Sequence, residues 1–266
     1  MAHYHFMMDA YNSAENNSNN PMSIYELLNA VARKLNLKPV MPPSIIPYYY
    51  CDDSEDAGIS AFTLCEGGHI TIHTFPYRSC YFVDVLADDF FAKNDAEQAF
   101  LSQIYAKDVN SKIIDRRTIY QQDDEEVNTD LDFGPHFMIE VNDFEMDMEY
   151  IFHWLDTVAE QINMTAISRP CVLFDKVNNP EYISGILIVA QSHIAVHYNI
   201  KEKKALIDIF SCAFLDEKAV SELFDKYFGN KAKWKLYSRG SKHIDSYKRK
   251  EKRVAASKIW LDNYKK

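Results

Sequence analysis

The chain has 266 residues, 47% apolar and 26% charged, with 7 glycines and 9 prolines. Those values exclude a disordered or collagen-like chain and leave room for two ordinary domains at most. No stretch approaches the twenty apolar residues of a membrane span, and no basic-then-apolar leader is readable at the N-terminus, so neither a membrane nor a secretory route is expected. Five scattered cysteines form no disulfide framework and point to a reducing cytoplasm.

The net charge of −10 is unevenly spread: from Gly229 onward 13 Lys/Arg face 3 Asp/Glu. An acidic body with a basic C-terminal end suggests that the end docks on the body. The run Lys248-Arg249-Lys250-Glu251-Lys252-Arg253 lacks any accompanying nucleic-acid motif, so a solvated helix face is the plainer reading and no nucleic acid is expected.

In chain order, an apolar β-prone strand near 4–10 leads into an amphipathic helix carrying Ile24, Leu27, Leu28, Val31 and Leu35. Strands follow at 59–64, 69–75 and 80–86, then a helix near 95–106. The same series returns: a strand at 136–142, a helix with Ile151, Trp154, Leu155, Val158 and Ile162, strands at 183–190, 193–199 and 205–211, and a helix at 216–228 with Asp216 as its N-cap. Ile59-Ser60 recurs as Ile183-Ser184, His69-Ile70-Thr71-Ile72-His73 as His193-Ile194-Ala195-Val196-His197, and Asp84-Val85 as Asp208-Ile209, all 124 residues apart. A constant offset over three blocks marks a duplication. The expected organisation is a first repeat at 1–120, an acidic linker at 121–133, a second repeat at 134–240 and a basic extension at 241–266. Each repeat is α+β, an antiparallel sheet with helices on one face; two such units burying their bare faces together give an αββα sandwich.

The repeats differ at the turn between their paired strands, Glu66-Gly67-Gly68 in the first and Gln191-Ser192 in the second. Two glycines suit a tight hairpin; a serine in a surface turn is the ordinary reading of the second. The run from Ser184 through Gln191-Ser192-His193 to Asp208-Ile209-Phe210-Ser211-Cys212, however, is similar over 29 ungapped positions to the core of the pyruvoyl-dependent S-adenosylmethionine decarboxylases. His69 to Pro76 resembles the same block.

The resemblance implies an internal pseudo-dimer, open to further homodimerisation, with one live centre between the repeats. In it Ser192 attacks the Gln191 carbonyl and becomes a pyruvoyl group that holds an amino-acid-type substrate as a Schiff base. Cys212 donates the proton, Ser60 and His73 assist processing, and Tyr77, Phe75 and Phe137 bind substrate. The reciprocal centre has Gly68 and Asp88 where serine and cysteine are required. No metal and no pyridoxal phosphate are implied. Histidines 69 and 73, or 193 and 197, share a strand face as metal ligands do, but lack a suitably spaced acidic or cysteine partner. The chain departs from the family at Gln191, which replaces a glutamate, and at Tyr77, which stands where a ribose-binding glutamate is expected. The function implied is decarboxylation of S-adenosylmethionine in polyamine synthesis. L-ornithine or L-arginine as substrate, and an inactive regulatory paralogue, are the alternatives. Tyr48-Tyr49-Tyr50 is a candidate stacking surface for a substrate ring, or edge packing.

Overall fold

A computed structural model describes residues 3–240 except 127, 129–131, 133, 191 and 213–214; Gln191 and the basic extension at 241–266 therefore lie outside the described residues. The first half runs β1 (Tyr4–Ser13), the one-turn α1 (Glu15–Ser18), α2 (Pro21–Lys34), β2 (Ser44–Tyr48), β3 (Gly58–Cys65), β4 (Gly68–Phe75), β5 (Cys80–Ala87), α3 (Lys93–Leu101) and β6 (Ala106–Asp115). The second half runs β7 (Gly134–Val141), α4 (Met148–Gln161), β8 (Cys171–Phe174), β9 (Tyr182–Val189), β10 (Ser192–Asn199), β11 (Lys204–Phe210), α5 (Glu217–Phe228) and β12 (Ala232–Arg239). The first sheet has the order β2-β3-β4-β5-β1-β6 and the second, reversed, β8-β9-β10-β11-β7-β12. Position for position the two orders are the same, as duplication requires, and every neighbouring pair is antiparallel.

Alternation along each strand separates two environments. Ile70 and Ile72 of β4 and Val83 and Val85 of β5 join Ile24, Leu27, Leu28 and Val31 of α2 in one core. Ile194 and Val196 of β10 and Ile207 and Ile209 of β11 join Ile151, Leu155 and Val158 of α4 in its counterpart. Each of these large side chains contributes roughly 1.5–3 kcal/mol by leaving water. The opposite strand faces meet each other: Phe62 and Leu64 cluster with Ile186 and Ile188, Leu86 with Leu206, and Met7 with Met138. The layers are thus helix, sheet, sheet, helix. Gly185 belongs to this packing, since a Cβ there would lie 2.8 Å from Ile151 and Leu155 side-chain carbons of α4.

Local chemistry sets the helix starts. The Asn20 side chain accepts from the amides of Met22 and Ser23 ahead of α2, and Asp147 from Tyr150 in α4. Asp216, expected as a cap, accepts from Lys218 at the start of α5. Each repeat closes with a strand, β6 or β12, beyond the helix expected to end it. The acidic segment after β6 also differs from a free linker. Asp124 accepts from the Leu236 amide, the Glu125 amide donates to the Leu236 carbonyl, and a Glu125 carboxylate oxygen accepts from the Ser238 amide, so the segment covers the outer edge of β12.

Candidate active site

The inner sheet faces carry an unusual load for a buried layer: His5, Ser60, His69, His73, Asp84, His136, Ser184, His193, His197 and Asp208 are all fully buried. Burying polar groups is costly unless they hydrogen-bond to one another. Two arrangements do this.

The first is electrostatic. Arg116, just past β6, donates from Nη1 to Asp208 Oδ1 of the opposite sheet at 2.6 Å. Arg239, at the end of β12, donates from Nη1 to Asp84 Oδ1 at 2.8 Å and from Nε to Asp9 Oδ1 at 2.8 Å. The same guanidiniums donate to His5 Nδ1 (3.2 Å) and His136 Nδ1 (3.0 Å). Accepting at Nδ1 leaves His5 protonated at Nε2, which donates to Asp84 Oδ1 at 3.3 Å. Arg239 holds Asp84, and Arg116 holds Asp208, well below the usual carboxylate range against the opposing pull of burial. Among the described residues His5, His136 and Asp208 come close enough together to hold a metal, but guanidiniums already donate to both His Nδ1 atoms and to Asp208 Oδ1.

The second arrangement uses the histidines four apart on β4 and β10. Ser60 Oγ is 2.8 Å from His73 Nδ1, and His73 Nε2 is 2.9 Å from His193 Nδ1. Its counterpart runs from Ser184 Oγ to His197 Nδ1 at 2.9 Å, then from His197 Nε2 to His69 Nδ1 at 2.8 Å. Exchanging the repeats converts one line into the other. In each, a serine and histidine of one sheet reach a histidine of the facing sheet. Burial pushes all four imidazoles down, His69 to about 4 and His73 to about 3.

Ser192 opens β10, directly before His193, and is 1% exposed. Its Oγ accepts from the Cys212 amide at 2.9 Å. Burial pushes the Cys212 thiol up to about 12 despite its hydrogen bond to Ser192, so it stays protonated at neutral pH. Cys212 packs on Tyr11, Phe75, Cys80, Phe82 and Phe210. Four of the sequence-selected residues, Ser60, His73, Ser192 and Cys212, are therefore connected through His193 and this aromatic floor.

The three expected substrate contacts separate. Phe75 is buried in the floor beside Cys212. Tyr77 sits on the Pro76–Arg78 turn, 48% exposed, where Arg78 binds Asp53, Glu55 and Asp56 of the loop before β3. Phe137 does not line the site: its parity on β7 turns it to the helix side, among Val141, Leu155 and Trp234. Of the tyrosine triplet, Tyr48 and Tyr50 pack edge to face and Tyr49 donates to Asn19.

Phe210 was missed by sequence reading. Its ring lies 5.6–5.9 Å from those of His73, His136 and His193 and carries the Arg239 guanidinium at 4.8 Å. The signal was available, since Leu86 occupies the equivalent place in the first repeat.

The reciprocal position is closed. A Cβ on Gly68 would fall 1.9 Å from the Leu86 carbonyl oxygen, so the strand ladder has collapsed onto the site of the missing side chain. Only Gly67 of the Gly-Gly pair takes a positive φ, +65°. The Tyr182 ring lies over Gly67, and its hydroxyl donates to Asp88.

The family model described as S-adenosylmethionine decarboxylase matches twice, over residues 4–117 and 136–240. An S-adenosylmethionine decarboxylase proenzyme of Clostridium botulinum (strain Loch Maree / Type A3) is 31% identical over 113 residues, covering 40% of this chain and 94% of that protein. A proenzyme of the same name from Symbiobacterium thermophilum is 25% identical over 93 residues, covering 34% and 67%. Among solved structures, the adenosylmethionine decarboxylase of Aquifex aeolicus VF5 is similar at 20% identity, with a TM-score of 0.39, covering 47% of this chain and 98% of that one.

Proposed function

The chain belongs to the S-adenosylmethionine decarboxylase family, and from that membership and the inter-sheet centre we propose that it cuts itself before Ser192 and then decarboxylates S-adenosylmethionine. One observation carries the reading: the line Ser60–His73–His193 ties helpers on the first sheet to the strand that begins with the candidate nucleophile.

In this mechanism the Ser192 hydroxyl adds to the Gln191 carbonyl carbon, and the C–N bond to residue 192 breaks to leave an ester. Elimination releases the 1–191 carboxylate and a dehydroalanine. Its imine tautomer takes up water and loses ammonia, leaving the pyruvoyl group. The Cys212 amide fixes the Ser192 oxygen during these steps. His73 is neutral because burial holds it near 3, so it can accept a proton or a hydrogen bond but has none to spare as an imidazolium. The residues fit the group: the serine whose backbone and β-carbon become it is buried, hydrogen-bonded and lies beside a protonated thiol. The keto and amide carbonyls of a pyruvoyl group supply the electron sink for loss of CO2. Cys212 then returns a proton to the substrate α-carbon, Phe75 floors the pocket, and water is held off by the surrounding phenylalanines.

Tyr77 favours a second reading. A phenol there cannot accept from two ribose hydroxyls as a carboxylate does, which fits a simpler amino acid such as ornithine or arginine. The test is a denaturing gel with intact-mass analysis, followed by release of labelled CO2 from carboxyl-labelled S-adenosylmethionine, ornithine and arginine. The reading expects two fragments meeting at 191/192, one band for Ser192→Ala, and CO2 from S-adenosylmethionine. A single uncut chain that releases no CO2 would instead mark an inactive paralogue.

A further inference from the structure

His193 belongs to neither the nucleophile nor the assisting pair, yet it is the residue of β10 that hydrogen-bonds to His73. Resting on the reading above, we propose that His193 is a positioning residue that makes His73 present a proton acceptor, rather than a donor, to Ser60. Its role toward His73 is the role a third group plays when it orients the base of a nucleophile–base pair.

The argument follows the protons. Both rings are neutral, since burial pushes His73 to about 3 and His193 well below its usual value, so each carries one proton. A single hydrogen joins His73 Nε2 and His193 Nδ1. If it sits on His193, His73 is protonated at Nδ1 and donates to Ser60. If it sits on His73, Nδ1 is a bare lone pair that accepts from the Ser60 hydroxyl.

The far side of His193 decides between them. Among the described residues its buried Nε2 has no hydrogen-bond partner, and neither has Asp84 Oδ2. Asp84 is the charged group acting most strongly on the ring. A proton on the otherwise unpartnered Nε2, in the field of that carboxylate, leaves Nδ1 of His193 unprotonated and obliged to accept from His73. This also places both rings in the tautomer that an imidazole side chain prefers intrinsically. The counterpart line shows the same logic: His69 Nε2 is unpartnered and Asp208 is the charge acting most strongly on it. The arrangement is thus a property of the duplicated fold, put to use only where a serine follows β9.

Two measurements test this. In the uncut Ser192→Ala chain labelled with ¹⁵N-histidine, long-range ¹H–¹⁵N correlation should find His73 and His193 both protonated at Nε2 and bare at Nδ1. This readout does not depend on cleavage. In the otherwise native chain, H193F should slow appearance of the two fragments by about 100-fold or more. H193N, whose amide can place its oxygen toward His73, should recover most of that loss. A His73 protonated at Nδ1 overturns the proposal, as does folded H193F cutting at the native rate, or folded H193N as slow as H193F. A native chain that never cuts overturns the processing reading instead, and the tautomer measurement still decides the assignment of His193.

Discussion

Cys212 meets Ser192 through both its backbone amide and its thiol, but the two residues are asked for different chemistry, and substitution can separate them. A thiol held near 12 by burial keeps its proton at neutral pH and is a poor nucleophile. Cys212→Ala keeps the backbone amide that holds Ser192 Oγ. The expected outcome is a chain that still yields both fragments but releases CO2 at least about 100-fold more slowly per processed molecule; equal loss of both would assign the thiol to cleavage as well. At the reciprocal site, Gly68→Ser is expected to restore nothing. Its Cβ meets a backbone carbonyl that cannot swing aside, so the variant should lose about 1–3 kcal/mol in urea unfolding and show no fragment ending at residue 67. Ser60, His73, Ser192 and Cys212 could be singled out in the sequence because the family-like runs around them are contiguous and short. Arg116, Arg239 and Phe210 were not, because their partners lie across the sheet interface, at separations of 92 and 155 residues for the two arginines.

At the scale of elements, strands β3 to β5 and β9 to β11 were legible because their alternation is regular and repeated. Those missed are the strands at the sheet edges. β6, Ala-Lys-Asp-Val-Asn-Ser-Lys-Ile-Ile-Asp, is mostly polar and half-exposed. β2 contains Pro47, and β8 has only 4 residues. β12 reads as part of a basic tail, yet Lys235 is 2% exposed and reaches Asp124 at 3.4 Å. Local rules worked better for helices. Asp216 accepts from the Lys218 amide at 3.0 Å, and Asp216→Ala should lower stability by about 1 kcal/mol, read as a shift in the urea midpoint at constant slope. An unchanged midpoint would show that the amide finds another acceptor.

For the whole molecule, the buried imidazoles predict how stability follows pH. In the unfolded chain they bind protons as pH falls below 6.5; in the folded chain His69 waits until about 4 and His73 until about 3. Through that window the unfolded state holds more protons, so acidification favours it by roughly 1 kcal/mol per pH unit for each such imidazole. Below the usual carboxylate range the Asp84 and Asp208 pairs, whose folded values are depressed, add further loss. Urea midpoints of the Ser192→Ala chain should therefore be level above pH 7 and fall steadily from 6.5 toward 4. A flat profile would mean that the histidines are already charged or solvated.

The second sheet's strand order has a mechanical consequence. Cutting the backbone ahead of Ser192 assigns β10, β11 and β12 to the short piece and β7, β8 and β9 to the long one, while the sheet reads β12-β7-β11-β10-β9-β8. The pieces are interdigitated like two combs: a tooth of the long piece is wedged between two of the short piece, with a third seam at β10/β9. Parting them means unzipping three ladders at once, so the nicked protein should elute from a native sizing column at the volume of the intact Ser192→Ala chain and come apart only on global denaturation.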